Sequence, residues 1–334
     1  MVEQVYPNIF HIEIPLPQNP LRALNSWFIR GEQRNLLVDS GFNRIECKKA
    51  MDEGLQALGV DMYYTDLLAT HVHSDHAGLS GYLARPDNFL YMSENDAELV
   101  KMNASHESNW QGFHAFIYYS GLVSEGLEVA LDRHPGYRYA PDGLPTLKLV
   151  EDGDLIAMGT FNWRVISTPG HTPGHISIYE PEHKILIAGD HILASITPNI
   201  TTWDIELDSL GQYLESLKKI ELLDIELVLP GHRQIITDCS TRIKELQLHH
   251  TDRLQDVLNI IGTERKNAVQ VARYMRWDLS YKDWDQFPWG QKLFATGEAM
   301  AHLLHLEAQG ILQREWEGDI CYFETYPPGA GISG

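Results

Sequence analysis

The sequence predicts an α/β protein in two parts, a layered domain over residues 1–240 and a smaller, mainly helical domain over 241–334. Three observations point there. Short apolar runs of β period recur, each stopped by a polar or Gly/Pro turn, and they alternate with segments of helical period. The 334-residue length is long for one domain, and 43% hydrophobic content suits a globular core. From Thr241 the strand signal gives way to three helical patterns.

In chain order, Gln4–Ile14 reads as strand until Pro15–Pro20 breaks it. Ser26–Arg30 and Asn35–Val38 read as a hairpin ending in Asp39-Ser40-Gly41, and Glu46–Leu58 has helical spacing bounded by Gly59. Asp66–Ala69 is a short apolar strand running straight into Thr70-His71, followed by a helix over Gly78–Leu83 and a strand over Phe89–Met92. Residues from about Leu99 to Lys148 break the rhythm and read as a helical insertion. Arg164–Ser167, Ile176–Tyr179 and Lys184–Ala188 are β runs, Leu207–Ile220 is an amphipathic helix, and Leu227–Leu229 is a strand ending at Pro230-Gly231-His232. Helices over Arg242–Ile261, Asn267–Met275 and Gln291–Gln309 follow, with a hairpin around Glu317-Gly318. Three helices and a hairpin are the outline of a winged-helix-like module.

Composition narrows the function. A net charge of −20 repels phosphate backbones at long range, which makes nucleic acid an unfavourable partner. The tail carries only −3 of that charge, with 10 basic and 13 acidic residues from Thr241 onward, so it is no basic patch. No apolar run approaches the roughly 20 residues of a membrane span. No secretory leader is visible at the N-terminus, and a cytoplasmic protein is expected. Cys47, Cys239 and Cys321 lie too far apart for a metal or disulfide motif.

The sharpest signal is Thr70-His71-Val72-His73-Ser74-Asp75-His76-Ala77-Gly78, with three imidazoles and a carboxylate in six residues at the exit of a strand. Imidazole and carboxylate ligands suit zinc, iron and manganese. His71 and His73, two apart on extended chain, point the same way and can grip one ion, while Asp75 and His76 begin the next turn and can hold a second. Three more β runs end in a tight turn bearing one such residue: His171 in TPGHTPGH, Asp190 in LIAGD and His232 in VLPGH. Glycine and proline let the backbone turn beside an ion where a larger residue would clash.

With these motifs in this order, the sequence resembles the metallo-β-lactamase superfamily, in particular its glyoxalase II-like members with a C-terminal winged-helix appendage. The resemblance implies an αββα sandwich with two metal ions at one edge. His71, His73 and His171 would bind the first ion; Asp75, His76 and His232 would bind the second; Asp190 would lie between them. Asp39, in VDSG, would orient ligands rather than bind metal. His175 is expected to be a structural neighbour, and His191 an orienting or substrate-facing one. His106, His114 and His134 are expected to be exposed or capping.

The implied chemistry is hydrolysis by hydroxide formed from water on two divalent ions, zinc first, with iron or manganese as alternatives. Asp75 and Asp190 would be the catalytic carboxylates, with Asp75 also guiding the proton. No serine or cysteine nucleophile is needed. The preferred substrate is a small-molecule thioester or acyl ester. The alternatives are an endoribonuclease or phosphodiesterase of the same fold, a mono-iron persulfide dioxygenase-like enzyme and a DNA-binding regulator. Helix Gln291–Gln309 offers Lys292 as its only lysine or arginine, which favours a packing or dimerisation role, with a homo-oligomer left open. Trp110, Phe113, Phe116 and Tyr119 in the insertion are expected to contribute ring surface to a lid over the substrate.

Overall fold

The computed structural model describes residues 1–105, 111–126, 134–202, 204–277, 281 and 283–326. The chain divides into two compact units. The first comprises Met1–Ser108, His134–Pro198 and Ser216–Ile243; the second comprises Asn109–Arg133, Asn199–Glu215 and Lys244–Gly334. Chain order alone suggests one break at 240/241. The second unit instead gathers its core from three separate stretches.

The first unit is built on two sheets. The larger runs β1 (Val2–Tyr6), β2 (Ile9–Pro15), β3 (Ala23–Ile29), β4 (Asn35–Val38), β5 (Thr65–Leu68), β6 (Phe89–Met92) and β7 (Thr146–Leu149) in spatial order. Its first four strands form an antiparallel meander, and β4 to β7 pair in parallel. The smaller sheet is ordered β12 (Leu227–Pro230), β11 (Ile185–Gly189), β10 (Ile176–Glu180), β9 (Phe161–Ser167) and β8 (Leu155–Met158). Only its β11–β12 pair is parallel. What reads as one run over Gln4–Ile14 is two strands, because the chain turns at Pro7-Asn8 with Asn8 at φ 64°. Strand β7, at the end of the expected insertion, gives almost no sequence signal, since it is a mostly exposed edge.

Side-chain alternation sorts the larger sheet into two faces. Trp27, Ile29, Leu36, Val38, Leu68 and Tyr91 meet Trp163, Val165, Ile178 and Ile187 of the smaller sheet in one core. Leu24, Phe28, Leu37, Leu67, Leu90 and Met92 face the other way and pack with Cys47, Met51 and Leu55 of helix α1 (Ile45–Leu58). Short helices α2 (Ser74–Ala77) and α3 (Ser80–Leu83), with α4 (Glu94–Ser105), complete that layer. Across the smaller sheet, the end of α7 (Ser209–Glu221) is tied down by Ser216 Oγ donating to Pro169 O and Lys219 Nζ to Ser167 O, both at 2.9 Å.

In the second unit, α5 (Gln111–Tyr119) buries Phe113, Phe116, Ile117 and Tyr119 in one cluster. The cluster also takes residues from α8 (Cys239–Ile261), α9 (Ala268–Tyr274), α10 (Trp289–Ala308) and the hairpin of β13 (Leu312–Glu317) and β14 (Ile320–Thr325). This corrects the lid expectation for Phe113, Phe116 and Tyr119, because their rings are spent on a core assembled from later helices. Trp110 lies outside the described residues. Tyr118, on the opposite face of α5, stays about half exposed. Helix α9 starts at an Asn267 capping box with Gln270. Helix α10 is buried along its length, from Leu293 to Leu306. Its Lys292 is bound internally to Glu125 at 2.8 Å, beside the Arg273–Glu125 pair at 2.7 Å.

A buried polar chain crosses this unit. Arg253 grips Glu298 and stacks over Trp277 at 4.3 Å. His302 Nδ1 donates to Glu298 O at 2.7 Å, and its Nε2 then accepts from His250 Nδ1 at 3.2 Å. Two outcomes follow. Phe116→Ala empties fully buried volume and should cost about 3–5 kcal/mol in urea unfolding, with no change in substrate selectivity. Burial holds His302 down at about 4, below its unfolded value, so unfolding takes up a proton. Stability should therefore fall as pH drops from about 6.5 towards 4, and His302→Gln should flatten that slope by up to about 1.4 kcal/mol per pH unit. An identical slope in the variant would place the proton uptake elsewhere.

Candidate metal centre

The ends of β5, β9, β11 and β12 converge. Chain leaving β5 passes through Ala69 and Thr70 into His71, Val72 and His73, and α2 then supplies Asp75 and His76. The turn from β9 to β10 carries His171; Asp190 directly follows β11, and Gly231-His232 follows β12. The parallel β11–β12 pair puts the last two side by side, with Gly231 N donating to Gly189 O at 2.8 Å.

Two groups of donor atoms form around Asp190. His73 Nδ1 lies 3.0 Å from His71 Nε2 and 3.1 Å from His171 Nε2. Donors sharing one ion at about 2.0–2.1 Å would lie roughly 2.9–3.4 Å apart, so the three nitrogens have the spacing of ligands. The second group is Asp75, His76 and His232, with His232 Nε2 3.4 Å and His76 Nε2 4.0 Å from Asp75 Oδ2. Asp190 reaches both groups. Its Oδ2 is 3.7 Å from His171 Nε2 and 3.5 Å from His232 Nε2, and its Oδ1 is 3.5 Å from His76 Nε2.

The far sides of the His71, His76 and His232 rings are pinned, which fixes which nitrogen faces inward. Thr70 Oγ1 donates to Asp39 Oδ2 at 2.9 Å and accepts from His71 Nδ1 at 3.0 Å. His76 Nδ1 donates to Asp39 Oδ2 at 2.7 Å, and His232 Nδ1 donates to Ala23 O at 2.7 Å. Asp39 thus binds the His76 ring directly and reaches the His71 ring through Thr70. It does so from a left-handed backbone at φ 59°, a conformation costly for a residue other than glycine.

Electrostatics set the demand for a cation. Burial, with the neighbouring imidazoles, pushes His71 well down and His73 to about 3, so both keep lone pairs at neutral pH. Burial also opposes charge on His76 and His232. There the carboxylates outweigh it, Asp39, Asp190 and Asp75 raising His76 well up and Asp190 and Asp75 raising His232 to about 10. Positive charge is drawn to this point, as protons or as metal. His76 Nε2, His232 Nε2 and Asp190 Oδ1 are buried with no hydrogen-bond partner among the described residues. Three orphaned atoms aimed together, of N and O type throughout, fit divalent metal ions. No cysteine competes as nucleophile, since burial pushes Cys47 to about 11 and Cys239 and Cys321 to about 12.

The other histidines have separate roles. His175 donates from Nδ1 to Thr168 Oγ1 at 2.8 Å and accepts Asp190 N at Nε2 at 3.1 Å, which sets the Asp190 turn. His191 is fully buried with its ring 6.2 Å from His175. His134 caps α6 (Pro135–Arg138) by accepting Gly136 N, His114 is half-buried on α5, and His106 lies outside the described residues.

Two positioning side chains escaped the motifs. Asn25 on β3 donates to Pro230 O at 3.0 Å and Arg233 O at 2.8 Å, clasping the turn that carries His232. Asp96 on α4 clasps the loops of His71 and His171. Neither has a local signature: Asn25 sits inside a strand, and Asp96 looks like an ordinary acidic residue in a helix's first turn.

Gly231 has a stringent reason to be glycine. A Cβ there would stand 2.5 Å from Asp190 Oδ1 and 2.7 Å from His76 Cε1. Gly231→Ala should leave the circular-dichroism spectrum unchanged but weaken divalent-metal binding by about tenfold or more. Undiminished affinity by chelator competition would refute this packing constraint.

Residues 20–232 match the metallo-beta-lactamase superfamily. The chain is 25% identical over 308 residues to the probable metallo-hydrolase YqjP of Bacillus subtilis, covering 90% of this chain and 92% of the relative. It is 29% identical over 239 residues to acyl-coenzyme A thioesterase MBLAC2 of Gallus gallus, covering 67% and 77%. A β-lactamase domain protein from Burkholderia ambifaria superposes with a TM-score of 0.81 at 26% identity, covering 97% of this chain and 93% of that one. A metallo-β-lactamase family protein from Thermus thermophilus also superposes at 0.81, with 24% identity and coverage of 97% and 100%. Strand-end histidines and aspartates gathered at a sandwich, a family match across all of them and a relative alike over 90% of the chain lead to one conclusion: the chain belongs to the metallo-β-lactamase superfamily and is a metallo-hydrolase.

Proposed function

We propose that the protein hydrolyses small-molecule thioesters or related acyl esters with two divalent metal ions. The single observation carrying the two-ion reading is Asp190, whose carboxylate lies within 3.7 Å of imidazoles from both donor groups. His71, His73 and His171 would hold one ion and Asp75, His76 and His232 the other. Zinc, iron and manganese all suit this donor set. Bound metal would supply Lewis acidity at the acyl oxygen and bring the pKa of water to about 7.

The chain's own residues have distinct parts. Thr70, Asp39 and the Ala23 carbonyl keep the inward nitrogens of His71, His76 and His232 in place. Burial pushes the Asp75 carboxyl up, but His76 and His232 outweigh it and hold it down at about 2, so it is ionised at neutral pH. In this reading the ionised Asp75 would orient the attacking water. Water delivers oxygen to the acyl carbon, the carbon–sulfur bond breaks, and sulfur leaves as a thiolate that takes up the proton released by the water. Because a free thiol has a pKa of about 8.5, its thiolate departs without a strong acid, whereas an amine leaving group would need one. The relative named as an acyl-coenzyme A thioesterase supports the same substrate class.

The net charge of −20 and the burial of α10 weigh against nucleic-acid substrates and partners. A helix enclosed from Leu293 to Leu306, with Lys292 held by Glu125, has no face to lay in a groove. No helix among the described residues is long and apolar enough to cross a membrane. Metal analysis on purified protein should find close to two first-row ions per chain, and a panel of acyl thioesters, acyl esters, lactones and short RNA should be turned over best at the thioesters. Asp190→Ala should lose metal and lower thioesterase kcat/KM by about 10²-fold or more. Full metal content and activity in that variant would remove the two-ion reading, and preferred cleavage of RNA would replace the substrate class.

A further inference from the structure

We propose that Asp96 is a positioning residue that sets the distance between the loop carrying His71 and His73 and the loop carrying His171. The inference rests on the reading that these three imidazoles hold a metal ion. Asp96 lies in the first turn of α4, is fully buried, and touches none of the imidazoles. Its Oδ2 accepts Val72 N at 2.8 Å and Thr172 Oγ1 at 2.6 Å, and its Oδ1 accepts Gly174 N at 2.7 Å. Val72 stands between His71 and His73, and Thr172 follows His171, so one carboxylate holds both loops. Ser93, one residue before α4, adds a bond from Oγ to Gly174 O. Burying a carboxylate is expensive, and three donors from two loops offset that cost only while both loops stay in place.

The packing around it is equally tight. A Cβ on Gly174 would sit 2.3 Å from Ser93 Oγ and 2.6 Å from Asp96 Oδ1, so residue 174 must be glycine for the loop to close on the carboxylate. The two loops come from different sheets, and their bases are joined by Ile176 N donating to Thr70 O at 2.9 Å. Across the two loops, His171 Nε2 stands 3.1 Å from His73 Nδ1. A ligand set needs placement to within about 0.5 Å. Asp96 adds a second tie closer to the ligands, because it binds Val72 between His71 and His73 and Thr172 next to His171.

A purely structural carboxylate would lower stability on substitution without altering one metal more than the other. Asp96→Asn replaces an acceptor oxygen with an N–H₂ facing a donor, and Thr172→Val removes only one of the three bonds. Both would be made in the full chain and stripped of metal, then titrated with Co²⁺ against a chromophoric chelator while visible absorption is followed. Thermal unfolding of the stripped proteins would run alongside. The expected result is weakening by about tenfold or more of the Co²⁺ held by the three-histidine group in Asp96→Asn, with a smaller loss in Thr172→Val and little change at the second group. Equal affinities in wild type and both variants, with only a lower melting temperature, would overturn the inference alone. A wild-type chain that binds no Co²⁺ would overturn the metal reading and this inference together.

Discussion

Charge confined away from water governs the design of this protein. Asp39, Asp75 and Asp190 bring three carboxylates into a space whose side chains are almost wholly buried, and five imidazoles are gathered with them. Without a cation, protons are forced onto His76 and His232, and three polar atoms face one another without hydrogen bonds. Such an arrangement is unfavourable in any protein that does not use it. Its tolerance here implies that the surrounding structure over-determines it, and the surrounding hydrogen bonds are of that kind. Thr70, Asp39, Ala23, His175, Asn25 and Asp96 each bind the outer side of a ring or the backbone of a turn.

The sandwich provides what those bonds need. Parallel pairing of β4, β5 and β6, and of β11 with β12, sends strand ends in a common direction, so turns distant in sequence meet. The apolar interior then clamps the strands, with Trp27 both buried in that core and donating from its indole to Pro230 O at 3.2 Å. A single residue thus links core packing to the turn that presents His232. Local strain at Asp39 is held by the same framework, through its backbone N–H to Leu68 O and the side-chain bonds to Thr70 and His76.

The second unit follows a different logic. Its core is contributed by α5 and by the helices and hairpin after residue 243, so Phe113, Phe116 and Tyr119, between His76 and His171 in the chain, belong to it. Polar groups inside it are paired into chains, notably Arg253–Glu298 and His250–His302, and its basic residues on α9 and α10 are tied to Glu125. Charge is being neutralised within the unit instead of being displayed.

Read alone, the amino-acid order already specifies the class of fold, the order of most strands and helices, and the residues suited to metal. Each of these rests on short-range physics: a β run, the turn that ends it and a side chain fixed one or two positions on. His71, His73, Asp75 and His76 could be read together because six residues contain all four. Only the folded chain reveals where Phe113, Phe116 and Tyr119 spend their apolar surface, since amphipathic spacing says that a face is buried but not against what. Folding likewise creates the tie at Asp96, whose three partners lie 24, 76 and 78 residues away. It also makes an edge strand of Thr146–Leu149, through pairing with β6 and not through its own pattern. Hydrogen bonds and packing across such separations leave no periodic mark on the chain, because the closure of the fold creates them.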